Sequence, residues 1–208
     1  TVLYLGLPTV SVVNQMLSNL NSFALLAVPF FLLLGRLMND SGITDRLMVF
    51  AQSMVGHIKG GLGHINVLVS MMFASMSGSA AADTASVGAI MIPAMKKAGY
   101  PAPFAVALTA TSSTLGVIIP PSILFVIYGA FGNVSIAGLF MAGILPGILI
   151  GLGQMGYTYF VASRHGVVNT VKIPWKERGK STRRAAPALL IPLIILGGIT
   201  SGVFTATE

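Results

Sequence analysis

Three clusters of residues could do chemistry. Ser77-Gly78-Ser79 is a run of small polar residues between two apolar segments. Gly116-Val117-Ile118-Ile119-Pro120-Pro121-Ser122 ends a long apolar run at two adjacent prolines, which remove two backbone donors and force a helix to break. Asp83 is the one acid deep in an apolar stretch, with Thr84 beside it. A helix that ends early exposes carbonyls, and with Ser or Thr hydroxyls these suit a small hard cation such as Na⁺. A helix that begins there exposes amides, which suit a carboxylate. A tip where one helix ends and another begins can serve both. Asp83 has two readings: cation coordination or gating as an intramembrane carboxylate, or a structural role at the positive end of a helix. Thr109, Thr111, Ser112, Ser113 and Thr114 form a hydroxyl-rich run just before the prolines. Some of these bond back to their own helix carbonyls, and Ser112 and Ser113, like Ser122, are candidates to face a cavity.

Such exposed backbone needs a particular setting. At membrane depth, unwound chain is tolerated only where it is buried in protein or lines a wet cavity. The composition places the chain in a membrane: 54% of its residues are hydrophobic, 8% are charged, and the mean hydropathy is +0.86. A soluble domain carries roughly 25% charged residues. No Asp, Glu, Lys or Arg occurs between Ala98 and Ser163. The alternating segments of about 10 residues that build a barrel are missing, so the expected class is an all-α polytopic membrane protein.

The bilayer then serves as a ruler. Thr1 to Leu20, interrupted by Pro8, reads as the tail of a spanning helix followed by an interfacial one. Ser22 is placed to cap a spanning helix from Phe23 to about Asn39. Thr44 to His57 has helical spacing of Leu47, Phe50 and Met54 opposite Asp45, Arg46 and Gln52, the pattern of an amphipathic helix lying on the membrane. Gly61 to Met76 and Ala80 to Ala94 are each too short to cross. The first, at about 16 residues, reaches roughly 24 Å. Joined at Ser77-Gly78-Ser79, they are predicted to form a re-entrant hairpin. Pro101 to Ile119 and Ser122 to Phe131 are predicted as the halves of a broken helix. Val134 to Arg164 is a long crossing whose Gly143, Gly147 and Gly151 make a flat ridge for close packing. The residues from 164 to 184 form a basic loop with Trp175 at the interface, and Ala185 to Ile199 is the last span.

The charge pattern supports the hairpin. Short basic loops stay cytoplasmic. With 164–184 inside, Lys96, Lys97, Lys59, Arg46 and Arg36 all fall on the same side only if the hairpin returns to its own face. The net charge of +7 therefore reports orientation and not nucleic-acid binding. With no cysteine, no His cluster of ligand spacing and no Ser/His/Asp order, neither a transition-metal site nor an enzyme is expected. Residues 1–57 and 134–208 are assigned to a scaffold and 58–133 to a mobile transport unit. The chain opens at Thr1 with no initiator Met and no basic leader, and is read as an interior piece of a longer protein.

Several stretches together resemble one family. They are Ser77-Gly78-Ser79-Ala80-Ala81-Ala82-Asp83, Ile92-Pro93-Ala94-Met95, Lys97-Ala98-Gly99-Tyr100 and Gly116 to Ser122. Phe30-Phe31 through Gly35, Met38-Asn39, Gly42-Ile43-Thr44-Asp45-Arg46-Leu47 and Gly202 to Glu208 agree as well. The family is the large membrane subunit of tripartite ATP-independent periplasmic (TRAP) transporters. The resemblance implies a multi-pass protein of the bacterial inner membrane, driven by a Na⁺ gradient through an elevator-type movement. It implies two inverted repeats, of which this chain is the first, N-terminal one. It implies a small four-helix membrane subunit and a periplasmic substrate-binding protein as partners, and an organic acid of the C4-dicarboxylate or sialic acid class as substrate. No cofactor is implied beyond Na⁺ as coupling ion. Carried over position by position, one Na⁺ would lie between Ser77, Gly78 and Ser79 and the break at Gly116, Ile119 and Pro121. A Na⁺/dicarboxylate symporter without a soluble receptor, a channel and a non-transporting scaffold remain alternatives.

Overall fold

Proline and glycine positions divide the chain. A computed structural model describes residues 23–166 and 174–205, with isolated positions 10, 14 and 17; within them, the side chains of 24, 39, 74–77 and 175–177 lie outside the description. The readings of Thr1 to Leu20, of Ser22 as a cap and of Trp175 as an anchor lie outside it too. Among the described residues every regular element is helical, in agreement with the expected class.

A 3₁₀ turn, Phe23–Leu26, leads into α1, Ala27–Asp40. This corrects the expected span from Phe23. Pro29 has no N–H and is accommodated in the first turn of α1, so the regular helix is only 14 residues long. It belongs with the shorter apolar helices and not with those long enough to cross. Gly42, in the left-handed region at φ +70°, turns the chain into α2, Ile43–Val55. Leu47, Phe50 and Ala51 of α2 are buried and Met54 is half exposed, so the amphipathic helix forms where its spacing predicts.

The hairpin follows as α3, Gly61–Ser77, and α4, Ala80–Lys97. At 17 and 18 residues each arm reaches about 26 Å, short of a hydrocarbon core of about 30 Å. Mostly apolar, α3 is the central element and packs against α1, α2, α4, α5, α6, α8 and α9. Ile65, Val67, Val69 and Phe73 are its buried contribution. On α4, Asp83, Val87, Met91 and Met95 recur every fourth residue as one buried face. Lys96 and Lys97 close its last turn, where cations suit the helix dipole.

The broken helix consists of α5, Ala102–Ser113, the single turn α6, Leu115–Ile118, and α7, Ile123–Gly132. The two halves are bent by 40° across the four residues that hold Pro120 and Pro121, joined by a cis peptide bond. α8, Ile136–Arg164, spans 29 residues, about 44 Å. A β-carbon at Gly143 would strike the Ile118 carbonyl and the Phe125 ring. One at Gly147 would lie 2.5 Å from Ile119 Cγ1, and one at Gly151 would strike the Met71 sulfur. The predicted ridge is therefore what seats α8 against the break and α3.

The basic segment departs from expectation. α9 runs Trp175–Ser201, so residues 175–184 of the stretch read as a loop are the first turns of the last helix. Lys, Arg and Glu are good helix formers, and a polar turn costs nothing where the helix emerges into water. Two helices, 136–164 and 178–201, are long and apolar enough to cross a membrane, and the bent pair makes a third. Their outer faces carry exposed Leu145, Leu149, Leu152, Phe160, Leu193 and Ile194, a surface suited to lipid.

Candidate functional site

Two glycines and two prolines shape the site. Gly78 adopts φ +58°, which carries the chain from the end of α3 to the start of α4. A β-carbon there would sit 2.9 Å from Ile123 Cγ1 and 3.2 Å from the Ile123 backbone nitrogen. The hairpin tip thus touches the first residue of α7, immediately beyond the break. The tip and the break, more than thirty residues apart in sequence, meet.

At the tip, the chain reversal at Gly78 leaves the last carbonyls of α3 without helical donors. The Ser77 side chain lies outside the described residues. Ser79 caps α4, its Oγ accepting from the Ala82 amide at 3.4 Å, with Asp83 in the first turn. A crevice of about 600 Å³ opens beside this end of α4, lined by Arg36 and Asp40 of α1 with Phe73, Ser79, Ala82 and Ser86.

At the break, simple donor counting identifies a free acceptor. In a continuous helix the Gly116 carbonyl would accept from residue 120 and that of Val117 from residue 121. Both are prolines and carry no N–H. The Ile119 amide is already committed to Leu115 at 2.8 Å. Ser122 Oγ donates to the Val117 carbonyl at 2.7 Å and satisfies that one. The Gly116 carbonyl is left with no donor from the helix. Gly116, Pro121 and Ser122 are buried and Ile119 is half-buried.

The remaining candidates separate. Thr84 donates to the Ala80 carbonyl at 2.8 Å, a bond within its own helix. Ser122 is likewise spent on the break. Ser112 and Ser113 are both fully buried. Ser112 Oγ donates to Ser70 Oγ at 3.1 Å and Ser113 Oγ to the Thr109 carbonyl at 2.9 Å. Asp83 is fully buried as well. Ser70 and Ser113 stand beside its carboxylate, yet neither oxygen has a partner in hydrogen-bonding geometry. One helical turn away, Asn66 Nδ2 donates to Thr109 Oγ1 at 2.7 Å while Asn66 Oδ1 is buried without a partner.

Sequence reading missed Asn66 and Ser70. The signal was present, since the two are four apart on one face of an otherwise apolar helix. No group of three or more His, Cys, Asp or Glu able to hold a metal occurs among the described residues. Oxygen-rich and nearly uncharged, the site suits an alkali cation and not a transition metal.

Comparison with known proteins agrees with this architecture. The family model described as "Tripartite ATP-independent periplasmic transporter, DctM component" matches residues 1–208. The sialic acid TRAP transporter large permease protein SiaM of Vibrio cholerae is 48% identical over 195 residues, 94% of this chain and 46% of that protein. The 2,3-diketo-L-gulonate large permease protein YiaN of Escherichia coli is 43% identical over 206 residues, covering 99% and 48%. The C4-dicarboxylate large permease protein DctM of Pseudomonas aeruginosa is 45% identical over 186 residues, covering 89% and 44%. The chain spans about half the length of these relatives. It belongs to the DctM family, the large permease components of tripartite ATP-independent periplasmic transporters, and is not an enzyme.

Proposed function

We propose that this chain is one half of the permease subunit of a Na⁺-coupled secondary transporter that imports an organic acid. The observations that carry this reading are the contact between Gly78 and Ile123 and a Gly116 carbonyl that Pro120 deprives of a helical donor. Helix ends and unwound chain converging at one point are how secondary transporters build ion sites. One Na⁺ would be held by Ser77, Gly78 and Ser79 on the tip and by Gly116, Ile119 and Pro121 at the break, through backbone carbonyls and serine hydroxyls. Asp83, Thr84, Ser112, Ser113 and Ser122 are the candidates for substrate contact or gating in this half.

The setting is the bacterial inner membrane, with the basic residues at the start of α9 on the cytoplasmic side. The hairpin and broken helix would move as an elevator against a scaffold that keeps its place in the bilayer. A small four-helix subunit would buttress the scaffold, and a periplasmic protein would deliver the substrate. The relatives' names give sialic acid, diketogulonate and C4-dicarboxylates, which share a carboxylate on a polar body. That shared group is the substrate class proposed here.

The test is uptake into proteoliposomes by the full-length permease with its small subunit, varying Na⁺ against each acid, with and without the binding protein. Saturable uptake that requires both an inward Na⁺ gradient and the binding protein is expected. Saturable Na⁺-driven uptake without the binding protein would favour a receptor-independent symporter, and non-saturating flux a channel.

A further inference from the structure

Asp83 is a fully buried acid that no described cation accompanies. Its residue is 0% exposed, and both carboxylate oxygens lack hydrogen bonds. A bare carboxylate in a dry interior is strongly disfavoured without a positive partner. On its own helix, Lys96 and Lys97 lie exposed at the far end. Arg36 lines the crevice along the other side of α4, with Ala82 and Ser86. Among the described residues, the groups that face Asp83 from α3 and α5 are the neutral hydroxyls of Ser70 and Ser113.

Those hydroxyls have few protons to offer. Ser113 gives its proton to the Thr109 carbonyl, Ser112 divides its own between Ser70 and the Thr109 carbonyl, and the Ser70 proton is the one left over. Apart from that proton the cluster offers lone pairs, and a carboxylate in its ionised form only accepts. Asn66 Oδ1, one turn along α3, adds another buried acceptor without a donor. Around Asp83 the bundle holds a surplus of oxygen acceptors and a deficit of donors.

We propose that Asp83, Ser70, Ser112 and Ser113 form a second site for a hard monovalent cation, enclosed between α3, α4 and α5 and separate from the site at the hairpin tip. One carboxylate and neutral oxygens match a single positive charge. A calcium or magnesium site would call for more carboxylates or bound waters. The cation would also tie the two hairpin arms to α5, so its arrival would stiffen the unit that carries the tip.

The experiment is equilibrium binding of radioactive Na⁺ to the purified full-length permease with its small subunit, in choline buffer. Ser79→Ala, which removes the hydroxyl at the tip, serves as the comparison. Asp83→Asn is expected to lose one bound Na⁺ per permease, and Ser113→Ala to weaken one site at least tenfold. Ser79→Ala is expected to weaken a different site, so that the double variant loses both. If Asp83→Asn does not fold, Ser70→Ala and Ser113→Ala carry the test. Unchanged stoichiometry and affinity in the Asp83, Ser70 and Ser113 variants overturn the second site while leaving the tip site standing. Loss of binding in these variants with none in Ser79→Ala supports the second site and overturns the tip site.

Discussion

Gly78 and Ile123 approach so closely that a single added methyl at the glycine would sit 2.9 Å from the isoleucine side chain. The contact fixes where the hairpin tip meets the broken helix. It requires glycine twice over, for the space and for a φ of +58°. We predict that Gly78→Ala costs about 1–2 kcal/mol from backbone conformation alone. It also pushes the tip off α7 and raises the Na⁺ concentration for half-maximal uptake at least tenfold. Uptake titrations alongside thermal unfolding measure both.

Pro120 keeps a donor away from the Gly116 carbonyl. Pro120→Ala supplies an N–H there, so the helix gains a bond of about 1 kcal/mol and the proposed Na⁺ loses a ligand. We predict equal or higher thermal stability with weakened Na⁺ dependence. A variant that is both less stable and unaltered in Na⁺ dependence would show that the prolines serve folding only.

Packing of α8 gives a prediction independent of transport. Gly147→Val drives its side chain into Ile119, an overpacking expected to cost about 1–3 kcal/mol. Gly153 on the same helix faces open space, with nothing within 4 Å of where a methyl would sit, and Gly153→Ala should stabilise by about 0.5–1 kcal/mol. Unfolding midpoints of the two variants should therefore move in opposite directions.

The hairpin and the break are legible in the sequence because each is set by local chemistry. Short apolar runs, a Ser-Gly-Ser interruption and adjacent prolines leave the chain few choices. The glycine ridge is legible for the same reason, although its partners, Ile118, Phe125, Ile119 and Met71, are a tertiary fact. Two boundaries are not. A charged stretch looks the same whether it is a loop or the exposed end of a helix, so the start of α9 reads as a loop. The effect of Pro29 on α1 is one of register, which apolar run length does not reveal. Around Asp83 the limit is different in kind. The residue stands out, but its surroundings come from α3 and α5, and only their packing shows that Ser70 and Ser113 face it while Thr84 does not.

Asn66 offers a test of that packing. Its amide donates to Thr109, whose hydroxyl is also bonded to the Ala105 carbonyl at 2.8 Å, while Oδ1 is an orphan. Replacing it removes one good bond and one unsatisfied acceptor together. We predict that Asn66→Leu changes stability by less than about 1 kcal/mol, as measured by thermal unfolding. A loss of several kcal/mol would mean that Oδ1 has a partner.

The most direct measurement is the Na⁺ dependence of uptake by Ser79→Ala in proteoliposomes that contain the full-length permease and its partners. Ser79 is the cap of α4 at the tip, so its loss should cost about 1 kcal/mol in stability whatever its role. At least a tenfold rise in the Na⁺ concentration required is expected in addition, with the maximal rate recovered at high Na⁺. A Na⁺ requirement identical to that of the unaltered protein, with only the stability loss of a missing cap, would contradict it.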